Sequence, residues 1–186
     1  MPYAPVLATL GYLFSPDGTR VLMCLRNARP TDRHFGKWNG IGGKLEADED
    51  VLSGFRREVR EETGLACTAL HLAGTVSWPG FGKNGEAWFG FLVRVTAFTG
   101  TPFDRNEEGE LHWVKLEDVP TLSMWDGDRH FLPRVLNRAA PQFHGIMPYV
   151  QGTAASWSCT VCESDPFSAR TCAIEIDEPN SPQRSA

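Results

Sequence analysis

The chain has 186 residues, 41% of them hydrophobic and 22% charged, which is one domain's worth of core with some surplus. Its net charge of −5 argues against electrostatic capture of polymeric nucleic acid or of an anionic membrane. No stretch is long and apolar enough to span a bilayer, and five cysteines in an irregular, odd set predict a reducing, cytoplasmic setting.

The first predicted elements are strands. Val6–Phe14 and Thr19–Leu25 are β-rich and joined by the turn Ser15-Pro16-Asp17-Gly18, which predicts a hairpin. The run from Ala4 has neither a basic flank nor a small-residue cleavage site, so it reads as strand and not as a signal peptide. Arg26–Lys37 is a polar, basic loop, and Trp38–Ile41 is a short strand entering a glycine turn at Gly42-Gly43. A helix follows, with Asp48 as its expected N-cap and Gly64 where a left-handed residue would end it. Val51, Leu52, Phe55 and Val59 form its apolar stripe.

Strands are predicted at Ala66–Trp78 and Glu86–Thr96, around the glycine-rich loop Pro79–Gly85, and a short one at Leu111–Val114 after the acidic loop Thr101–Glu110. Asp126–Ala139 is a second helix in which Pro133 marks a start or a kink. Phe143–Gln151 is the last expected strand, and the layout is α+β. Residues 153–186 are rich in Ser, Pro and small side chains and read as a partly ordered tail beyond a domain at 1–152. Cys159, Cys162 and Cys172 lack a fourth ligand at zinc-site spacing and read as loose thiols.

The chemistry lies in the first helix. At about 100° per residue, Glu58, Glu61 and Glu62 gather along one edge of the apolar stripe, with Arg57 beside Glu61 and with Arg56 and Arg60 toward solvent. Side-by-side carboxylates repel one another unless a cation relieves them. Hard oxygen ligands suit Mg²⁺, with Mn²⁺ as a substitute, and Gly42 and Gly43 let a backbone carbonyl approach the same ion. A plain solvated acidic face would not require Gly43, Arg57 and Gly64 at these spacings.

The spacing G-x5-E-x7-R-E-U-x-E-E-x-G-U, with U aliphatic, is filled by Gly43, Glu49, Arg57, Glu58, Val59, Glu61, Glu62, Gly64 and Leu65. It resembles the Nudix box. Beyond the box, Trp38–Lys44, Met124–Asp128 and Phe143–Gly145 are similar to the MutT branch of Nudix hydrolases, which cleaves oxidised purine nucleoside triphosphates such as 8-oxo-dGTP. The resemblance implies a Nudix fold, a mixed, curved β-sheet sandwiched between α-helices. It implies a small nucleotide substrate held by a monomer or weak dimer, with neither nucleic acid nor membrane as partner.

Residue by residue, the resemblance implies Gly42, Glu58, Glu61, Glu62 and Glu108 as metal ligands. Glu61 or Glu62 would be the general base, Arg57 would hold the glutamates, and Glu49 would be its structural partner. Asn39 and Asp128 would meet the purine, although Asn39 on spacing alone could cap a turn and Asp128 could cap a helix. Gly127 departs from the branch, whose animal members carry two adjacent acids there. Trp125, Trp78 and Trp88 would wall the base pocket, Trp113 belongs to the core, and His144 is structural. Arg26 would meet the phosphates, with Arg29 and Arg33 as rivals. Another Nudix specificity, such as ADP-ribose or a dinucleoside polyphosphate, would keep the box and change the pocket. A non-catalytic nucleotide sensor would be expected to lose box glutamates, and none is lost here.

Overall fold

A computed structural model of the chain describes residues 2–32, 34–162 and the strand at 173–177. Strand β1, Val6–Phe14, shows the organising rule. Successive side chains point to opposite faces, so Leu13 enters one buried cluster while Tyr12 and Phe14 enter another. In β2, Arg20–Leu25, Leu22 and Cys24 join the first cluster, and Val21 and Met23 the second. A sheet that is apolar on both faces must be covered twice. Helix α1, Val51–Thr63, covers one face through Phe55 and Val59, and α2, Asp128–Leu136, covers the other through Phe131, Leu132 and Val135.

The remaining strands are β3 (Trp38–Asn39), β4 (Ala66–Trp78), β5 (Trp88–Thr99), β6 (Glu110–Lys115) and β7 (Phe143–Ile146). They are followed by β8 (Tyr149–Val150), β9 (Thr153–Ala154), β10 (Trp157–Val161) and β11 (Ala173–Asp177). The main sheet runs β11-β10-β7-β4-β5-β1-β2-β3, with β6 also paired to β2. It is mixed: β1 lies parallel to β5, β4 antiparallel to β5, and β7 parallel to β4. No helix among the described residues is long and apolar enough to cross a membrane.

The caps of α1 correct one expectation. Asp50, not Asp48, is the N-cap, and its carboxylate accepts from Leu52 N–H at 2.9 Å and Ser53 N–H at 3.1 Å. An N-cap oxygen must lie two or three residues ahead of the amides it serves. Gly64 ends the helix as expected, at φ 75°. Helix α2 is shorter than the expected Asp126–Ala139 and carries Pro133 inside its second half, stopping three residues later at Leu136. Its terminal carbonyls are taken by the buried Arg94 of β5, which donates to Arg134, Val135 and Ala140 oxygens at 2.7, 2.8 and 3.3 Å.

The C-terminal region also departs from the reading. Phe143–Gln151 is not one strand. Met147 N–H still donates to the Ser77 carbonyl at 2.8 Å in step with β4, but Pro148 follows without an N–H to give, and Tyr149–Val150 pairs with Thr153–Ala154 in a small hairpin. Strand β10 then joins the main sheet beside β7, so the sheet continues past the expected boundary at 152. Trp157 and Cys159 are buried. The signal was the alternation Trp157, Cys159, Val161 within a Ser/Thr background. Cys172 lies outside the described residues.

Candidate active site

The acidic end of the site is built on α1. Arg57 is its hub, donating through Nε and Nη2 to the two Glu49 carboxylate oxygens at 2.7 and 3.0 Å. Its Nη1 reaches Glu58 at 2.9 Å and Glu61 at 3.1 Å, and Nη2 also meets the Lys44 carbonyl at 3.2 Å. The paired bonds to Glu49 fix the guanidinium plane and hold Glu49 below, and Arg57 above, their ordinary pKa ranges. Arg56 and Arg60 are exposed, as the helical spacing required.

Glu62 lacks such relief. Burial, then the charges of Glu108 and Glu58, push its carboxyl up to about 8, although Gly42 N–H donates to it. Burial likewise raises Glu58. The glycine turn lies against these groups: a Cβ on Gly43 would meet the Glu58 carboxylate at 2.6 Å, and one on Gly42, at φ 146°, would strike the Thr9 carbonyl at 2.3 Å. Among the described residues no three acidic, His or Cys side chains already converge as a ligand set.

Glu108 reaches this cluster from the β5–β6 loop. Asn106 Oδ1 accepts from Glu108 N–H at 2.9 Å and Gly109 N–H at 3.0 Å, which turns the Glu108 side chain onto Arg26. The competing acids point elsewhere: Glu107 meets exposed Arg29 at 3.5 Å, and Glu110 meets His112 at 3.1 Å. Arg26 is thus drawn in and Arg29 is not, while Arg33 lies outside the described residues.

A cavity of about 340 Å³ opens beside the acidic end and is lined by Arg26, Asn39, Gly42, Trp78, Trp88, Trp125, Asp128 and Glu108. Glu58, Glu61 and Glu62 are not among its lining; Glu62 meets it through Gly42 and Glu58 through Gly43. Asn39 is not a turn cap but a β3 residue opposite Cys24. Asp128 is not an N-cap either, because Gly127 holds that position without a side-chain bond. Burial pushes the Asp128 carboxyl up to about 7, against a bond from Trp125 N–H. Trp113 stacks on Phe98 at 5.9 Å in the core, and His144 bonds Thr75 at 2.8 Å across β4 and β7.

Sequence reasoning missed Thr9, His34, Lys44, Phe81 and Tyr149, which also line the cavity. Phe81 was the most accessible of them, since an aromatic in a glycine-rich loop between two predicted tryptophan walls must pack somewhere. It packs edge-on against Trp88 at 5.8 Å and Tyr149 at 5.1 Å. Tyr149 also bears on the departure at Gly127: a Cβ there would meet the Tyr149 hydroxyl at 2.4 Å and Met147 Sδ at 2.5 Å. The space a side chain would need is already filled.

The mixed sheet, covered on both faces, thus sets a glycine turn against an acidic helix beside an aromatic-walled cavity. The NUDIX domain model matches residues 4–135, and the chain belongs to that family, whose hydrolases generally use divalent metal ions. The chain is 32% identical over 134 residues to the oxidized purine nucleoside triphosphate hydrolase of Mus musculus, covering 71% of this chain and 80% of that protein. The Danio rerio protein of the same name is 31% identical over 103 residues, 55% of this chain and 65% of that one. Among solved structures, the MutT protein of Bacillus halodurans superposes with a TM-score of 0.70 at 28% identity, covering 82% of this chain and 95% of that one.

Proposed function

We propose that this Nudix hydrolase cleaves oxidised purine nucleoside triphosphates, of the 8-oxo-dGTP kind, to the monophosphate and pyrophosphate, with Mg²⁺ as its cation. The observation that carries the reading is the single cavity that joins Asn39, Asp128 and three tryptophans to Gly42, Arg26 and Glu108. A purine is flat and apolar on its faces with hydrogen-bonding edges, so it suits aromatic walls plus an amide and a carboxyl. The names of the mouse and zebrafish relatives point the same way.

The residues present fit a hard divalent cation. Burial, then the neighbours Glu108 and Glu58, disfavour the charged form of Glu62, a penalty that a divalent cation would relieve. Glu58, Glu61, Glu62, Glu108 and the Gly42 carbonyl would hold it, an all-oxygen set of the kind Mg²⁺ takes. When bound, such an ion neutralises phosphate charge and acidifies a water molecule.

The chain's own groups do the rest. Arg57 keeps Glu58 and Glu61 oriented, and Arg26 faces the phosphates. Asn39 and Asp128 meet the base edge while Trp78, Trp88 and Trp125 cover its faces and exclude water. A carboxylate takes the proton from the water that attacks phosphorus in line. Glu62 is favoured over Glu61 for this, because Glu61 is exposed and committed to Arg57. A substrate panel tests the reading: 8-oxo-dGTP should exceed dGTP, ADP-ribose and diadenosine polyphosphate in kcat/KM. Preference for ADP-ribose or a dinucleoside polyphosphate would transfer the activity to another Nudix specificity, and hydrolysis of none would leave a nucleotide sensor.

A further inference from the structure

Trp125 sits in the segment between Leu122 and Asp128, outside every sheet ladder. An indole on a loop has several rotamers open to it, yet a stacking wall requires one. The backbone of Trp125 is held locally, its N–H by the Asp128 carboxylate and its carbonyl by Asp128 N–H at 3.0 Å, and further ties come from across the molecule. Trp38 N–H donates to the Ser123 carbonyl at 2.8 Å, and Lys37 Nζ donates to the Met124 carbonyl at 3.0 Å. The ring itself is met by His34. Trp125 Nε1–H donates to His34 Nδ1 at 3.1 Å, and the rings lie edge to face with centroids 5.0 Å apart. The Lys37 ammonium stands 5.7 Å from the Trp125 ring centre.

His34 is itself fixed from the opposite end of the cavity. Its backbone N–H donates to Asp32 Oδ1 at 2.9 Å, and Asp32 Oδ2 accepts from Arg26 Nη2 at 2.9 Å. The other arm of Arg26 bonds Glu108. The His34 carbonyl accepts from Lys37 N–H at 3.0 Å, which closes the loop on itself. Arg26, Glu108, His34 and Trp125 all line the same cavity. An unbroken chain therefore runs from Glu108 through Arg26, Asp32 and His34 to Trp125.

We infer that His34 is the positioning residue for Trp125, and that the β2–β3 loop is a strut tying the base-stacking wall to the Arg26–Glu108 pair at the phosphate end. The inference deepens the purine triphosphate reading and rests on it. Its chemistry is specific. Nδ1 must present a lone pair, so His34 carries its proton on Nε2. Only a side chain with an acceptor at that place can substitute. Asparagine offers Oδ1 where Nδ1 stood; leucine fills the volume and offers nothing. If the ring merely occupied space, leucine would serve as well as asparagine.

The test uses the full chain in two readouts that do not depend on each other. The indole N–H resonance of Trp125, assigned by its loss in Trp125→Phe, is followed by ¹⁵N spectroscopy and hydrogen exchange without substrate. KM and kcat are measured for 8-oxo-dGTP. His34→Leu should shift that resonance, speed its exchange, and raise KM about tenfold, the equivalent of one lost hydrogen bond, with kcat within about twofold. His34→Asn should restore both readouts. The inference is overturned if leucine leaves the resonance and KM unchanged, if asparagine behaves as leucine does, or if kcat falls while KM stays. Should the unaltered chain hydrolyse no purine triphosphate, the proposed function fails, and the indole measurement alone then decides the His34 contact.

Discussion

The two ends of the cavity are built by different means. The acidic end is short in sequence: Glu49, Arg57, Glu58, Glu61 and Glu62 fall within fourteen consecutive residues, and one guanidinium bonds three of them. The aromatic end draws Asn39, Trp78, Trp88, Trp125, Asp128 and Tyr149 from β3, β4, β5, the entry to α2, and β8. Charge, held by local hydrogen bonds, is robust to changes elsewhere in the fold. A pocket wall assembled from distant strands inherits every shift in their packing. Chemistry and specificity should accordingly respond to different substitutions.

The largest effect should fall at the acidic end. Glu62→Gln is expected to lower kcat by about 100-fold or more, the usual contribution of a positioned proton acceptor, while the unfolding midpoint holds or rises because a buried ionisable group gives way to a neutral one. Retained turnover would take the base away from Glu62 and leave Glu61. At the aromatic end, Asn39→Ala should raise KM for 8-oxo-dGTP about tenfold, one hydrogen bond's worth, and leave diadenosine polyphosphate within about twofold. Equal losses on both substrates would mean that Asn39 holds β3 and does not read the base.

A pH titration separates the ends without substrate. Asp128 and Glu62 are pushed up to about 7 and about 8, from 3.8 and 4.5. Folded chains then bind more protons than unfolded ones between those values, so stability falls as pH rises through the window. Asp128→Asn should flatten the part of the urea-midpoint curve that ends near 7, and Glu62→Gln the part that ends near 8. Saturating Mg²⁺ should abolish the Glu62 part and spare the Asp128 part; loss of both, or of neither, would deny that the cation sits at the acidic end alone. The smallest effect is expected at the rim. Arg29→Ala breaks an exposed 3.5 Å pair with Glu107 and should change stability by less than about 0.5 kcal/mol and leave kcat/KM unaltered.

The parts of the site that could be read in advance are the ones governed by near neighbours. Helix α1, its glycine stop at Gly64 and the Arg57–Glu61 contact follow from a period of about 3.6 residues, and the only slip was placing the N-cap at Asp48 in place of Asp50. Glu108 could be named but not singled out among Glu107, Glu108 and Glu110, because the Asn106 turn that selects it exists only once β5 and β6 are in place. His34 gave no signal at all. A histidine in a polar loop acquires meaning only when Trp125, ninety-one residues away, is packed beside it.

The amino-acid sequence by itself determined the α+β layout, the acidic helix with its glycine turn, and the class of chemistry such a helix performs. Tertiary structure alone decided that the sheet runs on past residue 152 through Trp157 and Cys159, that Tyr149 fills the space beside Gly127, and that Arg94 closes the end of α2. The division has a physical cause. Helical periodicity and capping are interactions of a few residues' range, written in local order, whereas sheet pairing and pocket walls are contacts between remote segments, settled only when both faces of the sheet are buried.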